Sequence, residues 1–168
     1  MGGVVRIRAY EAGDAPEIVR LFYDTVRSVN RTHYSEEQVV AWAPEVPDAQ
    51  RWHARMSRRV TLVAEEAGEV VGFAELEDGH LGMLYARKDA VGRGVGARLY
   101  EAVEREALGL GLGRITTEAS LTARPFFERR GFRLVREQSV ERLGVKLPNF
   151  VMEKDVPGED RSGDRGKE

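Results

Sequence analysis

The chain is 168 residues long, with 26 basic and 28 acidic side chains, a formal net charge of -2 and 42% hydrophobic residues. That is enough for one domain around one core, and the near-balanced charge excludes a polybasic nucleic-acid binder. The absence of cysteine excludes disulfides, thiolate metal sites and a cysteine nucleophile, so any covalent chemistry must use another residue.

The opening MGGVVRIRAY lacks the apolar core of a signal peptide, and no apolar run approaches the roughly 18 residues of a membrane span. The expected setting is the cytoplasm, with no membrane partner. Within this opening, VVRIRAY alternates apolar and polar residues as a half-buried strand does. Asp14, ahead of Pro16 and Glu17, predicts a helix start with a capping-box-like carboxylate, and Ile18, Leu21, Phe22, Val26 and Val29 follow at helical spacing. Ser35 with Gln38 repeats the capping signal before a short helix that Pro44 stops, and Asp48 can cap a third helix carrying Trp52 and Met56. Residues 60–66, 69–77 and 79–87 read as three consecutive strands of an antiparallel meander, with Ala67-Gly68 and Asp78-Gly79 as tight turns.

A helix from about Gly94 to Leu108 comes next, with Val95, Leu99, Val103 and Ala107 inward and Gly109 with its neighbours ending it. RITTEAS reads as a strand, TARPFFERRG as a short helix closed by Gly131, and FRLVREQSV with LPNFVMEKDV as a final strand pair. The long helix between strands HLGMLYA and RITTEA is a crossover, so the fold class is mixed α/β with a partly parallel sheet. Residues 1–154 read as a single domain and 155–168 as a charged, disordered tail.

The stretch AVGRGVGARLYEA places Gly92, Gly94 and Gly96 on alternate positions at the mouth of that long helix. Residues without Cβ let backbone N–H groups approach a ligand, and the helix N-terminus adds a partial positive charge, a combination that binds phosphate. Two other readings stand beside it: a tight strand-to-helix turn, and a dinucleotide fingerprint, Gly92-x-Gly94-x-x-Ala97, with Glu118 about 20 residues on. The second is disfavoured by position, because a meander precedes the motif and few βα units follow. The Walker A pattern fails, since no Gly-Lys-Ser/Thr follows the loop.

Two segments carry a family resemblance. LYARKDAVGRGVGARL is similar to the strand followed by Q/R-x-x-G-x-G/A of the GNAT superfamily of acetyl-coenzyme-A-dependent N-acetyltransferases, and SLTARPFFERRGF resembles its N-x-x-A-x-x-x-Y-x-x-x-G-F segment. The resemblance covers roughly residues 4–154, and NRTHYSEEQVVAWAPE and NFVMEKDV look like an uncharacterised bacterial subgroup. It implies an α+β fold: a mixed, mostly antiparallel sheet of about seven strands flanked by helices, with strands 4 and 5 parallel and splayed. It also implies acetyl-CoA as cosubstrate, an amine-bearing acceptor and direct attack in a ternary complex, and it allows a homodimer.

By this resemblance Val91, Gly92, Arg93, Gly94, Val95 and Gly96 form the pyrophosphate loop. Leu84 offers its backbone N–H to the thioester carbonyl, Ala86 hydrogen-bonds the pantetheine arm, and Ser120 stands where the family has an Asn on that arm. Val91 replaces the usual Gln or Arg, at a contact made largely through backbone. Phe127 replaces the Tyr that often protonates the departing thiolate, which leaves a non-catalytic acyl-CoA sensor on the same fold as the alternative to an enzyme. Tyr34, Trp42, Trp52 and His33 lie in the N-terminal helices that border the acceptor pocket in this family, although core packing explains each Trp as well.

An alkylamine with a pKa near 10 must lose a proton to attack a thioester, so a base or water chain is required. His80 lies four residues before Leu84, which on a regular strand keeps both on one face; its alternative is an exposed hairpin residue beside Gly79. Glu75 and Glu77, also candidates for the base, share a strand face and could attract a cationic acceptor, or form a solvated sheet edge. Glu118 lies in the strand whose splaying would open the acetyl slot, as a base or as an outward polar residue. Arg93, Arg98, Arg124, Arg129 and Arg130 are candidates for the coenzyme phosphates. His53 has no partner at ligand spacing, which argues against a metal site.

Overall fold

The computed structural model describes residues 3–157. Strand β1 (Val5–Ala9) leads into helices α1 (Ala15–Ser28), α2 (Glu36–Trp42) and α3 (Ala49–Met56), with a short 3-10 turn, Asn30–Thr32, after α1. The meander β2 (Val60–Glu66), β3 (Glu69–Glu77) and β4 (His80–Ala86) follows, then α4 (Val95–Gly109), β5 (Arg114–Ser120), α5 (Arg124–Arg129), β6 (Arg133–Arg142) and β7 (Val145–Asp155). The seven strands form one sheet in the order β1-β2-β3-β4-β5-β7-β6. Only β4 and β5 run parallel, joined through α4, while every other neighbouring pair is antiparallel. No helix among the described residues is long and apolar enough to cross a membrane.

The local signals act largely as read. Ser35 and Gln38 make a reciprocal capping box at α2, and Asp48 accepts from the Arg51 N–H at α3. Ala67 and Asp78 take positive φ ahead of Gly68 and Gly79, the geometry of a two-residue hairpin turn. Asp14 departs from its expected role. It stands at the α1 start without a side-chain cap bond, because its carboxylate is held by Arg8 at 2.8 Å through both oxygens and by the Glu11 N–H. The Arg8 contact holds the Asp14 carboxyl below the usual carboxylate range. A depressed folded-state pKa contributes stability above the unfolded pKa that is lost as pH falls through the folded one. We therefore expect Asp14→Asn to be less stable than wild type at neutral pH, with the gap in urea midpoint closing on acidification. A constant gap would overturn this.

Two cores flank the sheet. Val95, Leu99, Val103 and Ala107 of α4 pack with Ala74, Leu76, Leu81 and Ile115 on one face, and Ile18, Leu21, Phe22 and Val26 of α1 pack with Val63, Val70 and Phe73 on the other. The first contact is close: a Cβ on Gly72 would lie 2.8 Å from Val95 Cγ1, 2.9 Å from Leu99 Cδ1 and 3.0 Å from the Tyr85 carbonyl oxygen. Gly72→Ala is thus expected to cost about 1–3 kcal/mol by lifting the first turn of α4. An unchanged denaturant midpoint would show that the helix has slack there.

The chain end is ordered slightly beyond the expected boundary. Asp155 pairs with Arg114 in the β5–β7 ladder, and Val156 is buried, donating its N–H to the Gly113 carbonyl at 3.0 Å. The rest of the expected tail, 158–168, lies outside the described residues.

Candidate active site

The site is organised by an irregularity in β4. Met83 pairs with Glu75 and Leu81 with Leu76, so Gly82 is an extra residue bulged out of the ladder. The bulge inverts the alternation: Leu81, Leu84 and Ala86 all turn toward α4, while Met83 and Tyr85 turn toward the N-terminal helices. His80 and Leu84 therefore lie on opposite faces, contrary to the expectation from their four-residue spacing. His80 instead bonds Thr116 Oγ1 at 2.8 Å, where β4 and β5 are still paired.

Backbone direction follows from one hydrogen bond. The Arg87 N–H donates to the Val71 carbonyl at 2.7 Å, which makes Gly72↔Ala86 a non-hydrogen-bonded pair of the antiparallel ladder. Two residues back, Ala74↔Leu84 is the same kind of pair, so the N–H and C=O of Leu84 point away from β3, toward β5. There β5 has diverged: its parallel pairing with β4 is confined to His80↔Thr116 and Leu81↔Thr117. The result is a slot between the C-terminal halves of β4 and β5 with the Leu84 N–H aimed into it.

A cleft opens on the α4 face of this slot, about 430 Å³ in volume. Leu84, Ala86, Val91, Gly92, Gly94, Gly96, Ser120 and Phe127 all line it. Gly92 and Gly94 have φ of 82° and 84°, and a Cβ on either would meet nothing within 4 Å, so the backbone there is bare toward the cleft. Arg98 closes the first helical bond of α4 onto the Gly94 carbonyl, which leaves the N–H groups of residues 94–97 for a ligand, while the Arg93 N–H is taken by the Ala90 carbonyl at 3.2 Å. Two loop residues keep their side chains out of the cleft: Val95 is buried beneath the helix, and Arg93 turns away to bind Glu66 at 2.9 Å.

Other details of this cleft were not legible beforehand. The Ala86 carbonyl already accepts from Thr25 Oγ1 at 2.9 Å. Asn30 is buried and lines the same cleft as Ser120, whose Oγ accepts the Ala123 N–H. Of the arginines proposed for phosphate, Arg129 and Arg130 line the cleft, whereas Arg98 bonds the Val5 carbonyl and Arg124 pairs with Glu128. His33 stands at its rim on Thr122 Oγ1, at 3.0 Å.

A second cleft of about 430 Å³ opens on the opposite face, between α1–α3 and the sheet. Phe22, Tyr34, Trp42, Trp52, Met83 and Tyr85 wall it. Phe22 meets Trp52 at 4.9 Å and Tyr85 edge-on at 5.2 Å, while the Tyr34 hydroxyl donates to the Pro148 carbonyl and accepts the Leu121 N–H. Burial pushes the Tyr85 hydroxyl well above its ordinary value, so it stays protonated. Tyr85 and Ser120 line both clefts, so the two meet at the slot.

The base candidates separate here. Glu118 lines the second cleft, its Oε1 accepting from Gln138 Nε2 at 3.0 Å. His80 lies outside both clefts. Glu75 is only 2% exposed and is neither a solvated edge nor a lure for cations: its Oε1 takes Arg55 at 2.9 Å and Arg59 at 2.5 Å. Glu77 shares that face and binds Arg59 at 2.8 Å. His53 bonds the Tyr10 hydroxyl at 2.7 Å, on the far side of the N-terminal helices. Arg55, Arg142 and Asn149 also line the second cleft, and no periodicity or motif singled them out.

A sheet whose parallel β4–β5 pair splays between a glycine-lipped helix mouth on one face and an aromatic cleft on the other defines the GNAT type of acetyltransferase fold. The family description "Acetyltransferase (GNAT) domain" matches residues 30–154. The uncharacterised N-acetyltransferase YafP of Escherichia coli strain K12 is 32% identical over 148 residues, covering 88% of this chain and 94% of that one. A crystal structure of a GCN5-related N-acetyltransferase from Rhodopseudomonas palustris superposes with a TM-score of 0.87 at 35% identity, covering 93% of this chain and 98% of that one. The phosphinothricin acetyltransferase of Sinorhizobium meliloti, solved in complex with acetyl-CoA, shares the fold at 18% identity, with a TM-score of 0.73 over 97% and 94% of the chains. The chain belongs to the GNAT superfamily of acetyltransferases.

Proposed function

We propose that the protein transfers an acetyl group from acetyl-CoA to a primary amine by direct attack, with both substrates bound at once. The observation that carries this reading is the slot: two clefts on opposite faces meet beside a backbone N–H that no strand occupies. The residues present fit the coenzyme, since the bare N–H groups at the α4 mouth suit a pyrophosphate and the apolar strip along Leu84, Ala86 and Phe126 suits its arm. Acetyl-CoA supplies the activated acyl group.

This chain's residues supply three things. The Leu84 N–H meets the negative charge that develops on the carbonyl oxygen. Ser120 and Tyr85 mark the point where the amine enters the slot. Glu118, as the carboxylate lining the acceptor cleft, receives the ammonium proton directly or through water. A thiolate with a pKa near 8.5, by analogy with cysteine, leaves without strong acid assistance, so Phe127 does not forbid turnover.

Thiol release from acetyl-CoA against a panel of amines tests the reading. Glu118→Gln is expected to lower kcat by about 10²-fold, with the loss smallest at high pH where free amine is abundant. Stabilisation by acetyl-CoA without any thiol release would favour the sensor, for which the missing Tyr hydroxyl at Phe127 speaks; stabilisation by NAD instead would return the dinucleotide reading.

A further inference from the structure

The acceptor cleft carries a charge pattern unlike the one its sequence suggests. Arg55 and Arg59 cancel Glu75 and Glu77, so the acidic strand face offers no field for a cation. Two charged side chains remain on the opposite wall. Glu118 sits on β5 beside the slot, and Arg142 sits at the far end of β6, with no ion pair among the described residues. Between them stands Asn149, directly across from Ser120 in the β5–β7 ladder, and its Oδ1 is buried with no hydrogen-bond partner. A buried acceptor left unpaired carries a desolvation cost that a ligand N–H would remove.

We propose that the acceptor is a primary amine with a flat apolar body and one carboxylate at the end remote from the nitrogen, an inference that rests on the acyl-transfer reading above. The amine end lies at Glu118 and Asn149, where Ser120 opens to the coenzyme cleft. The body lies against Phe22, Trp42, Trp52 and Met83. The carboxylate lies toward Arg142, whose guanidinium suits it. Arg142 pairs with Val145 in the β6–β7 ladder, four residues from Asn149, and at about 3.3 Å per residue that is about 13 Å of strand. The separation, shortened by the long arginine side chain, places the carboxylate at the tail of the acceptor and disfavours α-amino acids. Polyamines and aminoglycosides are disfavoured because their second positive charge would face Arg142.

The test uses matched probes: 4-(aminomethyl)benzoate, its neutral carboxamide, benzylamine, L-phenylalanine and spermidine. Each is assayed by thiol release with acetyl-CoA, and by thermal shift in the presence of CoA. The benzoate is expected to exceed the carboxamide in kcat/KM by about tenfold or more, the scale of a hydrogen bond to a charged group. Arg142→Gln is expected to erase that ratio. Equal or better turnover of benzylamine, L-phenylalanine or spermidine, or a ratio unchanged in Arg142→Gln, overturns the proposal. If no probe releases thiol, the thermal shifts separate the two claims. Preferential, Arg142-dependent binding of the benzoate keeps the acceptor assignment while acyl transfer fails, and equal or absent binding of all probes removes the acceptor assignment.

Discussion

Gly94→Trp is expected to abolish the stabilisation that acetyl-CoA confers while leaving the protein folded. A ligand at 100 times its dissociation constant stabilises the native state by about 2.7 kcal/mol, a rise of roughly 5–10 °C in Tm for a chain of this length. Gly94 has φ of 84° and no atom within 4 Å of a built Cβ, so the indole would enter the cleft without displacing core. The substitution does strain the backbone, by about 1–2 kcal/mol, and a control must carry the same strain. Gly111, past the other end of α4, has φ of 71° and equally open surroundings. Gly111→Trp should therefore lower Tm without ligand by a similar amount yet keep the acetyl-CoA shift. If both variants keep the shift, the glycines form only a turn.

Replacing the Leu84 amide by an ester, through semisynthesis with the corresponding hydroxy acid, is expected to lower kcat by about 10²–10³-fold with little change in the KM for acetyl-CoA. Loss of one preorganised donor to a developing oxyanion has that magnitude, and the ester removes the N–H while keeping the side chain. Stability should scarcely move, because this N–H faces the slot and not β3. The same exchange at Tyr85 gives the contrast. Phe73↔Tyr85 is a hydrogen-bonded pair, so there the ester should cost about 1 kcal/mol of stability and leave the chemical step largely intact. An ester at residue 84 that turns over normally would remove Leu84 from the reaction.

Much of the architecture was written in local patterns. The hairpin turns at Ala67-Gly68 and Asp78-Gly79, the capping box at Ser35 and Gln38, and the inward stripe of Val95, Leu99, Val103 and Ala107 each depend on residues within a few positions of one another. The glycine loop belongs with them, because a helix mouth with exposed amides is a property of consecutive residues. Leu84 and Ala86 were singled out by the family resemblance rather than by any local pattern, and both line the cleft beside the loop.

What the sequence alone determined was therefore the order of elements, the parallel crossover and the glycine-lipped mouth of α4, all set by periodicity, caps and turn chemistry along one stretch of chain. What only the tertiary structure decided was the make-up of the second cleft. The Gly82 bulge, visible only in the pairing of β4 against β3, put His80 and Leu84 on opposite faces. Arg55 and Arg59, 20 and 16 residues before Glu75, turned an apparent acidic lure into a neutral cluster. Placing β7 between β5 and β6 brought Asn149 beside Ser120, and the β6–β7 hairpin put Arg142 at the far end of the same wall. Such a site has no period and no motif, because its charges and distances arise between strands and helices remote in sequence, where one extra residue in a ladder reverses every side chain beyond it.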